Sequence, residues 1–234
     1  MHPVLVVTRP GGAGLAFADK VMQALGRDLP VILSPAAEIV PLEVAVPEAD
    51  QVIFTSVHGV AQAARLGIAP GASAWCVGDR TAQAAQAAGY QARSAGGDAD
   101  ALVALILEER PAGALLHVAG AQRRGEVAER LAQAGLTCTT LVAYRQRALP
   151  PSAALIAAAA GNVPLVSPVF SPRSAAPLAL PDRRAPLHGI AMSPAVADAL
   201  TDLGADTVVT VPRPDAAEMI AATCAVLQRL LDRG

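Results

Sequence analysis

Lysine is nearly missing from this chain of 234 residues: Lys20 is the only one, and the other permanently cationic side chains are arginine. Either a GC-rich genome or a need to recognise carboxylates, which the guanidinium fork matches, accounts for that bias. Aromatic residues are scarce at 3%, and the net charge is −2, so no general basic field exists to hold a nucleic acid. No apolar run approaches a membrane span. The most apolar late segment, Met219–Leu231, contains Gln228 and Arg229 and follows Asp215 and Glu218 at capping-box spacing, which predicts an amphipathic terminal helix. The three cysteines, Cys76, Cys138 and Cys224, are odd in number, far apart and set in apolar runs, as expected of free thiols in a reducing cytosol. Met1-His2-Pro3 lacks a basic leader region and the apolar run Val4–Val7 is too short for one, so we expect no export signal and a cytoplasmic location.

Other absences exclude cofactors. No Gly-Lys-Ser/Thr occurs, so there is no Walker loop. Pro10-Gly11-Gly12-Ala13-Gly14 after a strand imitates a dinucleotide turn, but the acid needed for the ribose at the end of the second strand is missing: that strand is VILSP, and none follows it before Glu38. His2, His58, His117 and His188 lie far apart without cysteine or acid at ligand spacing, which predicts no metal site.

What is present is repetition. An offset of 115 residues lays Ser56 on Ser171, Ala82 on Ala197, Gly89 on Gly204 and Asp100 on Asp215 without a gap. A third element links VLVVTRPGGAGLAFADKVMQAL to LLHVAGAQRRGEVAERLAQAG. With the unit types named A, B and C, the chain reads A, then B–C–A, then B–C. This order predicts a continuous domain over 40–146 and a discontinuous one joining 1–38 to 149–234. The chain would cross between them near Ala36–Pro41 and Tyr144–Pro150.

Within each unit, short apolar runs alternate with glycine-terminated helical segments. Val4–Val7, LPVILSP, QVIFTS, ASAWCVG, ALLHVAG, LTCTTLVAY, PLVSPVFS, LHGIAM and DTVVTV read as strands. Helices are expected over 14–25, up to Gly67, from Asp79 or Thr81 to Gly89, from Asp98 or Asp100 to Leu107, over 125–134, and between and after the last three strands. Pro35, Pro41 and Pro47 mark one linker, and ALPPSA marks a second. Strands alternating with helices predict parallel sheets covered on both faces, and ligands of such sheets sit beyond the carboxyl ends of the strands.

Those ends hold Thr8-Arg9-Pro10, Ser56-Val57-His58, Gly78-Asp79-Arg80-Thr81, Gly120 through Arg123, Ser171-Pro172-Arg173 and Ser193-Pro194. Most precede a helix, so each offers backbone N–H groups and a positive dipole end suited to a polyanion. Ser56 and Ser171 suit helix capping, which is compatible with ligand contact. His58, at a loop tip, is a candidate ligand contact. Arg123 and Arg124 are either substrate contacts or a solvated helix start. His117, inside a strand, reads as a satisfied core residue.

The opening strand with Thr8-Arg9-Pro10, IFTSVHGV, VGDRTAQAAQAAGY, VAGAQRRGEVAERLAQAG, the strand ending in Tyr144-Arg145, VFSPRSA, and PAVADAL…VPRPDAAEMI together resemble the uroporphyrinogen-III synthase family over essentially the whole chain. The resemblance implies two flavodoxin-like parallel-sheet α/β domains joined by a two-stranded connection, with the active site in the cleft between them. It implies a lyase that cyclises hydroxymethylbilane with inversion of the last ring and loss of water, using no cofactor or metal. Thr8, Arg9, Pro10, Ser56, Val57, His58, Gly78, Arg80, Thr81, Gly120, Arg123, Ser171, Pro172, Arg173 and Ser193 would bind substrate. We further expect a monomer that touches neither nucleic acid nor membrane and takes its substrate transiently from the preceding bilane-forming enzyme. Three positions depart from the family's commoner pattern. His58 stands where asparagine or a small polar residue is frequent, Ser193 where glycine is frequent, and Val196 where threonine is frequent.

The chemistry sets the requirements. Loss of the substrate hydroxyl gives an electrophilic azafulvene, attack by the last pyrrole gives a spiro intermediate, and fragmentation with reclosure delivers the inverted isomer. Unaided closure favours the uninverted one, so the protein must orient a flexible octacarboxylate. A weak acid beside the departing hydroxyl would help. Tyr144, which matches the family's tyrosine, is the candidate, with a hinge-packing aromatic as the other reading. A cytosolic bilobed binding module for a carboxylate or sugar, without catalysis, is the competing class.

Overall fold

In the computed structural model, which describes residues 2–122 and 126–232, the chain runs β1 (Val4–Val7), α1 (Gly12–Leu25), β2 (Val31–Leu33), β3 (Ala37–Pro41), β4 (Gln51–Phe54), α2 (Val57–Arg65), β5 (Ser73–Cys76), α3 (Asp79–Ala87), β6 (Gln91–Ser94), α4 (Ala99–Glu109), β7 (Leu115–Gly120), α5 (Val127–Gln133) and β8 (Cys138–Ala148). It continues with α6 (Ala153–Ala159), β9 (Leu165–Val169), a 3₁₀ helix (Pro172–Leu178), β10 (Leu187–Ala191), α7 (Pro194–Asp202), β11 (Thr207–Thr210) and α8 (Ala216–Leu231). The chain divides into two compact units, residues 1–38 with 147–234, and residues 39–146.

The first unit holds a five-stranded sheet in the order β2-β1-β9-β10-β11, parallel at every pairing. By position along the chain this is 2-1-3-4-5, the flavodoxin-like order, with its switch point between β1 and β9. Leu5, Val6 and Val7 are fully buried because successive side chains serve opposite faces. Leu5 and Val7 pack with Phe17 and Val21 of α1 and with Met219 and Leu227 of α8, whereas Val6 packs with Leu155, Leu178 and Leu200.

The second unit holds a sheet in the order β3-β8-β7-β4-β5-β6. Its β8-β7-β4-β5-β6 portion is parallel and has the same spatial plan, but the chain enters at β4, the third place in that plan. The second unit is thus a circular permutation of the first, with its switch point between β7 and β4. The two A-type strands, β1 and β7, occupy equivalent places. The added strand β3 pairs with β8. The Leu42 N–H donates to the Ala143 carbonyl and the Leu149 N–H to the Ala36 carbonyl, which fixes an antiparallel sense.

Several expectations need correction. Half of the first proline-marked linker is the strand β3, which ends at Pro41, a residue with no N–H to extend a ladder. The strand β6 is an edge strand; its Gln-Ala-Arg-Ser sequence has alternating exposure and no apolar run to announce it. Helix α6 follows Ser152, whose hydroxyl accepts from the Leu155 N–H, a capping signal that was readable in the sequence. After β9 the segment is 3₁₀ rather than α, since Pro177 lacks an N–H and crowds the turn before it. At α8, Asp215 does cap Glu218, but the Glu218 carboxylate bonds with Arg213.

Candidate functional site

The switch point of the second unit gathers Ser56, His58, Gly120 and Tyr144. Ser56 is the extended N-cap of α2, and its Oγ accepts from the His58 N–H at 3.1 Å. One residue on, a Cβ at Gly59 would lie 2.5 Å from the Val118 carbonyl oxygen. Only glycine lets the first turn of α2 press onto β7, and that contact seats His58 near the end of β7.

Tyr144 arrives by a different device. The β7–β8 register shifts between Ala119 and Gly120, so Ala119 faces Val142 while Gly120 faces Tyr144. The extra residue in β8 breaks the alternation of faces, and Ala143 and Tyr144 both join the core cluster that contains Val60 and Ala63 of α2. The ring lies directly against Gly120, where a Cβ would stand 2.7 Å from Tyr144 Cε2 and 3.2 Å from its hydroxyl. The Ala121 N–H donates to the Tyr144 carbonyl at 2.9 Å, closing the strand end.

Tyr144 is 6% exposed. Burial raises its phenol pKa, opposed in part by a hydrogen bond with the Ser56 side chain. The His58 ring meets the Tyr144 ring edge to face, with centroids 6.0 Å apart and planes at 61°. Burial holds the His58 pKa down, and the Arg80 guanidinium adds to that. Gly78 is the extended N-cap of α3 without a side-chain cap, Arg80 is exposed, and Thr81 is buried. Gln122 Oε1 accepts from the Gln146 N–H at 3.2 Å. Arg123 and Arg124 lie outside the described residues. His117 is buried, with Nε2 3.1 Å from the Thr55 hydroxyl.

The switch point of the first unit gathers Thr8, Arg9, Pro10, Ser171, Pro172 and Arg173. Thr8 is fully buried, and its hydroxyl has no hydrogen-bond partner among the described residues. The Arg9 guanidinium stacks 4.1 Å above the Phe170 ring. Gly11, at φ 59°, opens α1, and Gly14 packs with its missing Cβ position 3.0 Å from the Arg9 carbonyl oxygen. Ser171 caps the 3₁₀ helix through a reciprocal box with Ser174, Pro172 takes the first helical position, and Arg173 is exposed. Ser193 caps α7 in the same extended conformation as Gly78, but its hydroxyl makes no capping bond. Val196 is 1% exposed, so it is a core residue. Among the described residues no group of three or more His, Cys, Asp or Glu side chains could hold a metal ion, and no helix is long and apolar enough to cross a membrane.

The contacts that sequence reading missed are those of Gly59 and the bulge beside Gly120. A glycine three places after Ser56 was the available signal for the first. The bulge had none, because it exists only between two strands.

The crystal structure of uroporphyrinogen-III synthetase from Helicobacter pylori 26695 aligns with a TM-score of 0.64 at 12% identity, covering 97% of this chain and 100% of that one. That is a likeness of fold. A mutant uroporphyrinogen III synthase from the extremely thermophilic bacterium Thermus thermophilus aligns at a TM-score of 0.48 and 17% identity, over 99% of this chain and 100% of that one. No curated protein matches in sequence. The family profile described as uroporphyrinogen-III synthase HemD matches residues 20–221, most of the chain and parts of both units, and the chain belongs to that family.

Proposed function

We propose that this protein cyclises hydroxymethylbilane to uroporphyrinogen III, inverting the last pyrrole ring and releasing water. Family membership across both units carries the reading. The geometry adds a buried phenol, a neutral imidazole and two sets of strand-end loops with helix N-termini for carboxylates. Tyr144 is the acid for the departing hydroxyl: its depressed acidity keeps it protonated throughout the neutral range. Thr8, Arg9, Pro10, Ser56, Val57, His58, Gly78, Arg80, Thr81, Gly120, Arg123, Ser171, Pro172, Arg173 and Ser193 bind substrate, largely through the backbone. The free thiols of Cys76, Cys138 and Cys224 support a cytoplasmic setting. We also propose a monomer that receives the unstable bilane by transient hand-over.

The test is to add the purified protein to hydroxymethylbilane, oxidise the products and separate the isomers. Predominant isomer III establishes the reaction, whereas isomer I at the spontaneous rate overturns it and leaves a binding module.

Backbone recognition makes its own prediction. Ser56→Ala should reduce kcat/KM by no more than roughly 5- to 30-fold, about 1–2 kcal/mol of transition-state stabilisation, the order of one hydrogen bond. Val57→Pro should cost more. It deletes an N–H at the first helical position of α2, where Pro is tolerated and where the 3₁₀ helix of the first unit already carries Pro172. Steady-state kinetics on folded variants decide. Abolished turnover in Ser56→Ala, or a harmless Val57→Pro, would count against recognition through N–H groups.

A further inference from the structure

The proposed cyclisation moves two protons, and Tyr144 handles only one. The hydroxymethyl C–O bond breaks, and the leaving oxygen takes a proton from the phenol to become water. A C–C bond then forms at the substituted carbon of the last pyrrole, the neighbouring C–C bond breaks, and a second C–C bond forms at that ring's free α-carbon. That carbon must shed its hydrogen as a proton to restore the aromatic pyrrole. No oxidant or reductant enters, and the balance closes only if a base accepts this proton and Tyr144 is recharged.

We propose that in this chain, which departs at position 58 from the asparagine or small polar residue frequent in its family, His58 is this base, taking the α-carbon proton and returning it to Tyr144 across the shared loop end. The two rings meet edge to face with centroids 6.0 Å apart, so a phenol and an imidazole share one loop end. Proton return through one bridging water is within the ordinary reach of general acid–base pairs. The position is held by the backbone rather than by chance: the His58 N–H is fixed on Ser56 Oγ at 3.1 Å. Gly59 against Val118 and Gly120 against the Tyr144 ring lock the elements that carry both groups.

The surrounding charges keep the imidazole an acceptor. From α3, Arg80 opposes its protonation, and Asp79 is engaged with Ser94 at 2.6 Å. From β7 the titratable side chain is His117, bonded with Thr55; β8 carries Cys138 at its start, Tyr144, exposed Arg145, and Arg147, which is paired with Glu38. β4 brings none. On α2 itself Arg65 is paired with Glu43 at 2.9 Å. A histidine with a lowered pKa is neutral at pH 7 and loses base function only as pH falls below its ordinary value of about 6.5.

The experiment compares wild type, His58→Asn and His58→Gln in the isomer-resolved assay over pH. The inference rests on the proposed reaction, and wild type forming only isomer I would remove that reaction itself. With wild type active, we expect kcat to fall at least about tenfold in both variants. KM should change little, and the acidic limb of the kcat profile should be lost. Wild-type kcat in the variants overturns the proposal, and so does a uniformly lower kcat that keeps the acidic limb, which would mean positioning alone. Circular dichroism checks folding. Should neither variant fold, the wild-type profile decides. An acidic limb that coincides with the NMR titration of the His58 ring supports the assignment, and its absence overturns it.

Discussion

Removal of residues 1–38 should abolish the folding of residues 147–234, whereas residues 39–146 should fold alone. β1 lies inside the first sheet, hydrogen-bonded to β2 on one side and β9 on the other. Its Leu5, Val6 and Val7, with Phe17 and Val21 of α1, are at most 3% exposed. At about 1.5–3 kcal/mol each, these five side chains supply about 8–15 kcal/mol. An ordinary domain's whole net stability is about 5–15 kcal/mol. The loss also uncovers the apolar face of α8, which packs on α1. The two core clusters of the second unit draw only on residues within 39–146. Denaturant titrations followed by circular dichroism check both fragments. A cooperative transition in isolated 147–234 would show that the N-terminal segment is dispensable.

The second large effect is chemical. Tyr144→Phe keeps the ring against Gly120 and deletes only the hydroxyl, so packing survives while the acid and its bond with Ser56 disappear. A positioned acid contributes about 10²–10⁴-fold, and kcat should fall by at least about tenfold with KM little changed. The product should remain isomer III, since orientation of the chain and not the acid selects the isomer. Because burial raises the phenol pKa, Tyr144 should cause no loss of rate on the alkaline side below its ordinary value of about 10. Wild-type turnover in Tyr144→Phe, together with a slow or unstable Tyr144→Ala, would make the residue a spacer.

Much of the parallel α/β character was legible because a strand buried on both faces must be apolar throughout. Val4–Val7 is the plainest case. Helix ends were legible for a similar reason: Gly67, Gly89, Gly135 and Gly204 all take positive φ after a helix, which glycine adopts without strain. The edge strand β6 was not legible, since half of an edge faces water and carries no apolar run. For the site, Tyr144, Ser56 and His58 could each be named from their places at strand ends. Their meeting could not.

By itself the sequence determined the apolar strands and most of the helices, that the units recur as A, B–C–A and B–C, and which residues terminate those strands. These follow from local rules of periodicity, capping and chain repetition that need no knowledge of distant neighbours. Tertiary structure decided the rest. It set β7 beside β4 and β1 beside β9, which creates the two switch points. It inserted one extra residue into β8 opposite Gly120, turning Tyr144 onto the face of Ala143 and bringing its ring against His58. A bulge is a property of two paired strands and not of either one, and no local pattern in β8 specifies which residue of β7 it will oppose.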